Sequence, residues 1–146
     1  MADVLQDYRY LAEDQRLGVA SMDDTHEEFL SLYEHLRQAD NAAFPQLFRL
    51  MCEHTRAHFA AEEALMKATD FPALAEHTAD HMRVLGELDR FLSRAQGGRQ
   101  QLARAWINEQ LPEWFRAHLL NMDSALAAHI VGREKPRHVH LRLLRD

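Results

Sequence analysis

Hydrophobic residues recur every three to four positions along most of this chain, and no stretch shows the strict alternation typical of a half-buried β-strand. The spacing predicts four helices, over about 21–39, 42–68, 72–96 and 99–131. Pro112 falls inside the last segment and removes a backbone donor, so we expect a kink or a fresh helix start there. The pattern therefore predicts an all-α protein.

Short connections between the predicted helices favour an up-down-up-down four-helix bundle. We expect an N-terminal arm over 1–18 and a short C-terminal tail over 133–146 to flank the bundle. Ser21 or Asp23 is the expected cap of the first helix, because short oxygen-bearing side chains satisfy the free N–H groups there. A chain of 146 residues is expected to form one domain, 1–146, with its bundle core at about 19–131.

Polar residues interrupt the apolar faces of all four predicted helices. His58 and Glu62 are four positions apart, so a helix places both on the face that carries Met51 and Met66. Taken alone, this pair fits a buried histidine that is ion-paired with a glutamate better than it fits a metal site. The other residues that break the apolar faces are His26, His77, His81 and His118, and Asp123 joins them by its height in the bundle and not by its face.

The polar residues fall at one height in the predicted bundle. At a rise of about 1.5 Å per residue, all of them lie within about one helical turn of a common level. Asp123 follows His118 by five residues, which in a regular helix leaves it about 140° away from the histidine's face. A π-type turn would bring its carboxylate round, so we predict one between these two residues.

Five imidazoles and two carboxylates at one level predict a metal centre. Such donors suit iron, zinc, manganese or copper, and seven ligands exceed the number that one tetrahedral site can use. Two metal ions bridged by the carboxylates would satisfy the count. The sequence has no His-Glu-x-x-His motif and no glutamate three positions before a histidine, so the ferritin-like pattern is absent.

Charge and composition narrow the remaining possibilities. A formal net charge of −6, with basic residues clustered only near the C-terminus, argues against nucleic acid as a partner. The single cysteine, Cys52, excludes a disulfide framework and is interpreted as a small core residue. The sequence shows no signal peptide and no membrane span, so a cytoplasmic protein is expected.

These motifs resemble the hemerythrin family, particularly its single-domain bacterial form. The resemblance covers about residues 10–128. It runs through Leu17-Gly18-Val19 with Met22-Asp23-Asp24-Thr25-His26, His58-Phe59-Ala60-Ala61-Glu62-Glu63-Ala64-Leu65-Met66, His77-x-x-x-His81, and Trp114-Phe115-Arg116-Ala117-His118 with Asp123. The chain departs from the family pattern at His54, where a tyrosine is usual, and at Phe115, where a leucine is usual.

The resemblance implies a non-haem di-iron centre with an oxo or hydroxo bridge that binds O2 reversibly. By position, His77, His81 and His118 would hold one iron, His26 and His58 would hold the other, and Glu62 and Asp123 would bridge the two. O2 would bind at the second, five-coordinate iron. His54 is expected to lie beside the ligands or at the rim, and Phe115 to narrow the path of O2.

The function expected from the resemblance is O2 binding for transport, storage or sensing, without enzymatic turnover. Two alternatives stay open at this point: a di-iron enzyme that reduces peroxide or nitric oxide, and a protein that stores or sequesters metal. The expected partners are O2 and small anions. We expect a monomer or a small homo-oligomer, with a protein partner left open.

Overall fold

The computed structural model describes residues 11–134, and within this range all regular structure is helical, as the sequence predicts. A 3-10 turn, Glu13–Gln15, precedes the bundle. The bundle contains α1 (Ala20–Gln38), α2 (Phe44–Ala68), α3 (Leu74–Gln96), α4 (Gln100–Glu109), α5 (Leu111–His118) and α6 (Ser124–Glu134). α4, α5 and α6 follow one another as one interrupted helical arm, which takes the place of the fourth helix. The predicted four-helix bundle is therefore confirmed. Residues 1–10 of the predicted arm (1–18) and residues 135–146 of the predicted tail (133–146) lie outside the described residues.

Each long helix ends where the sequence offers turn chemistry. Between α1 and α2, Asp40 Oδ1 accepts the backbone N–H of Ala43 at 2.8 Å. Between α3 and α4, Gly98 adopts a φ of +88°, which costs a residue without a Cβ little. The consecutive helices α1 and α2, α2 and α3, and α3 and α4 pack against each other, and α4 also contacts α1. This order of neighbours closes the bundle in the up-down-up-down sense.

The expected capping of α1 by Ser21 or Asp23 is wrong. The helix begins at Ala20, its N-cap residue is Val19, and no side chain caps it. Asp23 lies within the helix and reaches back to the preceding loop, where its carboxylate accepts the backbone N–H groups of Leu17 at 2.8 Å and Gly18 at 3.2 Å. The acidic residue thus fixes the loop that enters α1 rather than the helix end itself.

The fourth arm is interrupted twice. α4 ends at Glu109 and α5 begins at Leu111, so the break expected at Pro112 is present. The second interruption is a five-residue π-helix, Leu119–Asp123, between α5 and α6, and it confirms the predicted π-type turn. The arm extends to Glu134, three residues beyond the predicted end near 131.

Two apolar clusters fill the bundle, and the polar layer lies between them along the helices. The larger cluster contains Phe44, Phe48, Phe59, Trp106 and Leu119, and the smaller contains Met22, Met66, Phe71, Leu126 and Ala127. Along the chain, His26 falls between Met22 and Phe29, Glu62 between Phe59 and Met66, and Asp123 between Leu119 and Leu126. The site is therefore walled by apolar side chains at both ends.

Cys52 is buried in the larger cluster, as expected for a small core residue. Burial raises the pKa of its thiol to about 12, so the thiol stays protonated near neutral pH and is a poor nucleophile. In the part of the chain that the structure describes, no helix is long and apolar enough to cross a membrane.

Candidate metal centre

All seven residues predicted from the sequence meet in the interior of the bundle. Their donor atoms form two groups, and within each group the atoms lie within 4.8 Å of one another. The three-histidine group contains His77, His81 and His118 together with both carboxylates, and the two-histidine group contains His26 and His58 together with Glu62. None of the seven residues is more than 8% exposed. Each of these residues lies on the inward-facing side of its own element. α1, α2, α3 and the α5–α6 arm therefore all contribute polar residues to the interior.

Glu62 divides its two oxygens between the two groups. Its Oε1 lies 3.3 Å from His77 Nε2 and 3.1 Å from His81 Nε2. Its Oε2 lies 2.7 Å from His58 Nε2 and 3.6 Å from His26 Nε2. One carboxylate thus presents one oxygen to each side of the site.

Asp123 repeats this division from the opposite arm of the bundle. Its Oδ1 lies 3.0 Å from His77 Nε2 and 3.1 Å from His118 Nε2, whereas its Oδ2 lies 3.0 Å from His26 Nε2. The π-helix makes this possible, because a regular helix would point the carboxylate about 140° away from His118. The structure therefore sets two carboxylates between two sets of imidazoles.

Most of the converging donor atoms make no hydrogen bond, although they face each other at close range. The buried atoms without a hydrogen-bond partner include Nε2 of His26, His77, His81 and His118, as well as Glu62 Oε1 and Asp123 Oδ1. Buried polar atoms are normally paired, and leaving one unpaired costs about 1–3 kcal/mol. Lone pairs aimed at a common interior point are what a coordinated metal ion requires, so these residues fit a metal centre.

The electrostatics of the site favour positive charge. Burial alone would lower the pKa of His26, but the carboxylates of Asp123 and Glu62 raise it to about 9, and they raise the pKa of His77 to about 9 in the same way. Burial alone would raise the pKa of Glu62, yet the four adjacent histidines hold it well below its usual value. Protons on imidazoles can supply this positive charge, and divalent ions can supply it instead.

Two acidic residues that the sequence did not single out hold the far sides of the histidines. Glu63 Oε2 accepts a hydrogen bond from His81 Nδ1 at 2.9 Å, and Asp80 Oδ2 accepts one from His118 Nδ1 at 2.7 Å. Because a carboxylate only accepts, it keeps the proton on Nδ1 and leaves the Nε2 lone pair facing the site. Asp80 also accepts the indole N–H of Trp114 at 3.0 Å.

Aromatic rings cover the imidazoles of the three-histidine group. The pairs are Phe59 stacked on His81 with ring centroids 3.8 Å apart, Trp114 stacked on His118 at 4.8 Å, and Phe71 edge-on to His77 at 6.3 Å. On the other side, Phe115 stands edge-on to His26 at 5.9 Å and stacks on Phe29 at 4.8 Å. These rings exclude water from the histidines that they cover.

The other histidines among residues 11–134 stand outside the two groups. His54 is half-buried, and its ring centroid lies 6.3 Å from that of His58. Burial and the neighbouring His58 lower the pKa of His54, which favours its neutral form. His129 contacts the backbone carbonyl of Thr69 at 2.7 Å, a structural contact that ties α6 to the turn after α2.

A four-helix bundle with a buried layer of histidines and shared carboxylates defines a helical protein with a candidate metal site. The family model of the hemerythrin HHE cation binding domain matches residues 17–130, and the chain belongs to the hemerythrin family. The matched segment begins just before α1 and ends within α6, so it contains all seven residues of the two groups.

Curated relatives agree with this assignment. The chain is 35% identical to a bacteriohemerythrin of Ralstonia nicotianae over 122 residues, which cover 84% of this chain and 88% of the relative. It is 25% identical to the bacteriohemerythrin of Aquifex aeolicus, covering 80% of this chain and 92% of that protein. It is also 25% identical to the bacteriohemerythrin of Stenotrophomonas maltophilia, covering 81% and 78% respectively. No solved structure matches the chain.

Proposed function

We propose that this chain holds two iron ions and binds O2 reversibly at them. The observation that carries the proposal is the sharing of the carboxylates, since Glu62 and Asp123 each present one oxygen to each histidine group. A carboxylate that faces two sets of imidazoles in this way is suited to bridge two ions. Membership of the hemerythrin family supports iron as the metal.

The division of the ligands follows the two groups. His77, His81 and His118 would hold one ion, His26 and His58 would hold the other, and Glu62 and Asp123 would contact both. An ion held by His26 and His58 would have fewer protein ligands than its partner, so it would be the one with a position free for O2. When bound, the ferrous pair supplies the electrons that O2 needs to be held reversibly.

The protein's own contribution is to position the ligands and to place them between two apolar layers. Glu63 and Asp80 fix the orientation of His81 and His118, so these imidazoles need no rearrangement when a metal ion arrives. The apolar clusters on both sides of the polar layer limit the supply of protons from either end of the bundle. A pre-arranged site between apolar layers favours release of O2 in the form in which it was bound.

Elemental analysis and a spectrum test this proposal together. Iron-reconstituted protein should contain two metal ions per chain, and reduced protein exposed to air should show an oxygenated spectrum that disappears when O2 is removed. One ion per chain, found reproducibly, would contradict the two-iron site. Irreversible oxidation in air with two ions present would contradict reversible O2 binding while leaving the metal site intact.

The same preparation distinguishes the two alternative functions. Sustained turnover of peroxide or nitric oxide would indicate a di-iron enzyme, and exchange of metal without any O2 chemistry would indicate metal storage. We propose a role without turnover, with O2 or a small anion as the ligand. A single domain, a cytoplasmic location and a monomeric or small homo-oligomeric state stay predictions from the sequence.

A further inference from the structure

A cavity of about 270 Å³ opens on the seam between α1 and α2 and reaches the two-histidine group. Ser21 and Thr25 of α1 and Ala61 and Leu65 of α2 form its walls, and His58 and Glu62 lie at its inner end. Ser21 and Ala61 are exposed, whereas His58 and Glu62 are 7% and 4% exposed. The cavity therefore connects solvent to two of the proposed ligands.

We propose that this cavity is the route by which small ligands reach the two-histidine ion, an inference that rests on the proposed function. Small side chains create it, because Ser21 and Ala61 leave room where a leucine on either helix would fill the seam. In the described part of the chain, by contrast, rings of Phe59, Trp114 and Phe71 cover the imidazoles of the three-histidine group. The cavity thus reaches the two-histidine group, which is the group whose proposed ion would have a position free for a ligand.

The lining of the cavity indicates what can pass. No lysine or arginine lines it, so the route does not select strongly for anions. The hydroxyl of Thr25 already donates to the backbone carbonyl of Ser21 at 2.8 Å, which leaves a wall that is mostly apolar. Its volume is below that of typical pockets for drug-sized ligands. It therefore has ample room for small molecules such as O2 and azide.

The test fills the seam and measures azide binding to the oxidised, iron-loaded protein by stopped flow. Ala61→Leu should slow both association and dissociation of azide on the order of tenfold, which corresponds to a barrier raised by about 1.4 kcal/mol. The dissociation constant should not change, because a blocked route raises the barrier in both directions equally. Ala60→Leu is the matched control, since Ala60 is exposed on α2 and does not line the cavity.

Ser21→Leu fills the seam from the opposite helix. It is the variant to measure if Ala61→Leu disturbs folding. Circular dichroism, thermal midpoints of the metal-free variants and metal content establish that each variant keeps the bundle and its ions. Unchanged azide rates in both cavity variants would overturn the route. Equal slowing in Ala60→Leu, or weaker azide binding at an unchanged association rate, would overturn it as well. Loss of azide binding or of the ions in the parent protein would instead contradict the proposed function.

Discussion

The two histidine groups differ in how their far nitrogens are held. In the three-histidine group, His81 and His118 donate from Nδ1 to the carboxylates of Glu63 and Asp80, and only His77 Nδ1 has no described hydrogen-bond partner. In the two-histidine group, Nδ1 of both His26 and His58 makes no hydrogen bond with any residue that the structure describes. One side of the centre is fixed by acidic partners and sealed by rings. The other side is less constrained and lies at the inner end of a cavity.

This difference is what the proposed function would require, because an O2-binding centre makes two separate demands on its protein. An ion that supplies electrons but does not itself bind O2 benefits from rigid, oriented ligands. Imidazoles that are already in place need little reorganisation when the ion binds. An ion that must accept and release a ligand needs access from solvent. The bundle meets the first demand through contacts between α3, α2 and α5, and the second through small residues on the α1–α2 seam.

The largest effect is expected at the carboxylate that both groups share. Glu62→Ala should lower the metal content from two ions per chain to one or none, because it removes an oxygen from each group at once. His54→Ala is the matched control on the same helix and should keep both ions, since His54 lies outside the two groups. Elemental analysis of both variants decides the point. Loss of an ion in His54→Ala would make His54 a ligand.

Metal removal should weaken the whole bundle, since the ligands come from every arm of it. Metal-free protein keeps buried imidazoles without partners, whereas ions that bind the folded state stabilise it. We expect the thermal midpoint to fall on the order of 10 °C in the presence of chelator. Glu62→Ala should show a much smaller difference between the two conditions. Equal midpoints for loaded and metal-free parent protein would contradict this expectation.

A substitution at Asp80 tests whether acidic partners orient the imidazoles of the three-histidine group. Asp80→Asn removes the charge that orients His118 and should weaken metal binding by about 10- to 100-fold, the usual effect of losing such a partner. Asp89→Asn is the control on the same helix, because Asp89 pairs with the exposed Arg56 and not with a histidine. Competition with a chromophoric chelator measures both affinities. Equal affinities in the two variants would leave Asp80 without an orienting role.

The smallest effect is expected at Phe115. The sequence led us to expect that its ring narrows the path of O2, but the cavity runs along the α1–α2 seam and Phe115 does not line it. Phe115 stacks on Phe29, so Phe115→Leu should cost roughly 1 kcal/mol of folding stability and leave azide rates nearly unchanged. Denaturant unfolding and stopped-flow azide binding measure the two quantities. Faster azide binding would place a route at Phe115.

Six of the seven residues of the site could be gathered from the sequence because each breaks the apolar face of its own helix. Periodicity fixes that face, and the rise per residue fixes the height, so His26 and His118 could be placed at one level before any coordinates were known. The same geometry predicted the π-helix, since Asp123 could not otherwise face inward. Most of the site could thus be predicted because the geometry of an α-helix is regular.

Asp80 and Glu63 escaped notice because they act across helices. Each is adjacent in sequence to a proposed ligand, but that cue does not say which histidine it contacts. Asp80 precedes His81 and yet binds His118, which is 38 residues further along the chain. Helix caps were predicted less well for a related reason. Asp23 could reach either the helix end or the loop before it, and composition alone does not decide between them.

The π-helix between α5 and α6 also sets the register of everything after it. It holds one residue more than the corresponding stretch of α-helix, and one residue is equivalent to a rotation of about 100° about the axis. The rotation that turns Asp123 toward the histidines therefore also decides that Leu126 and Ala127 face the smaller apolar cluster. A regular α-helix through this segment with no residue removed would leave the ligand and the packing face both misdirected, whereas deletion of one residue would restore both directions in an ordinary helix. Metal binding and the packing of α6 are consequently specified by the same local insertion.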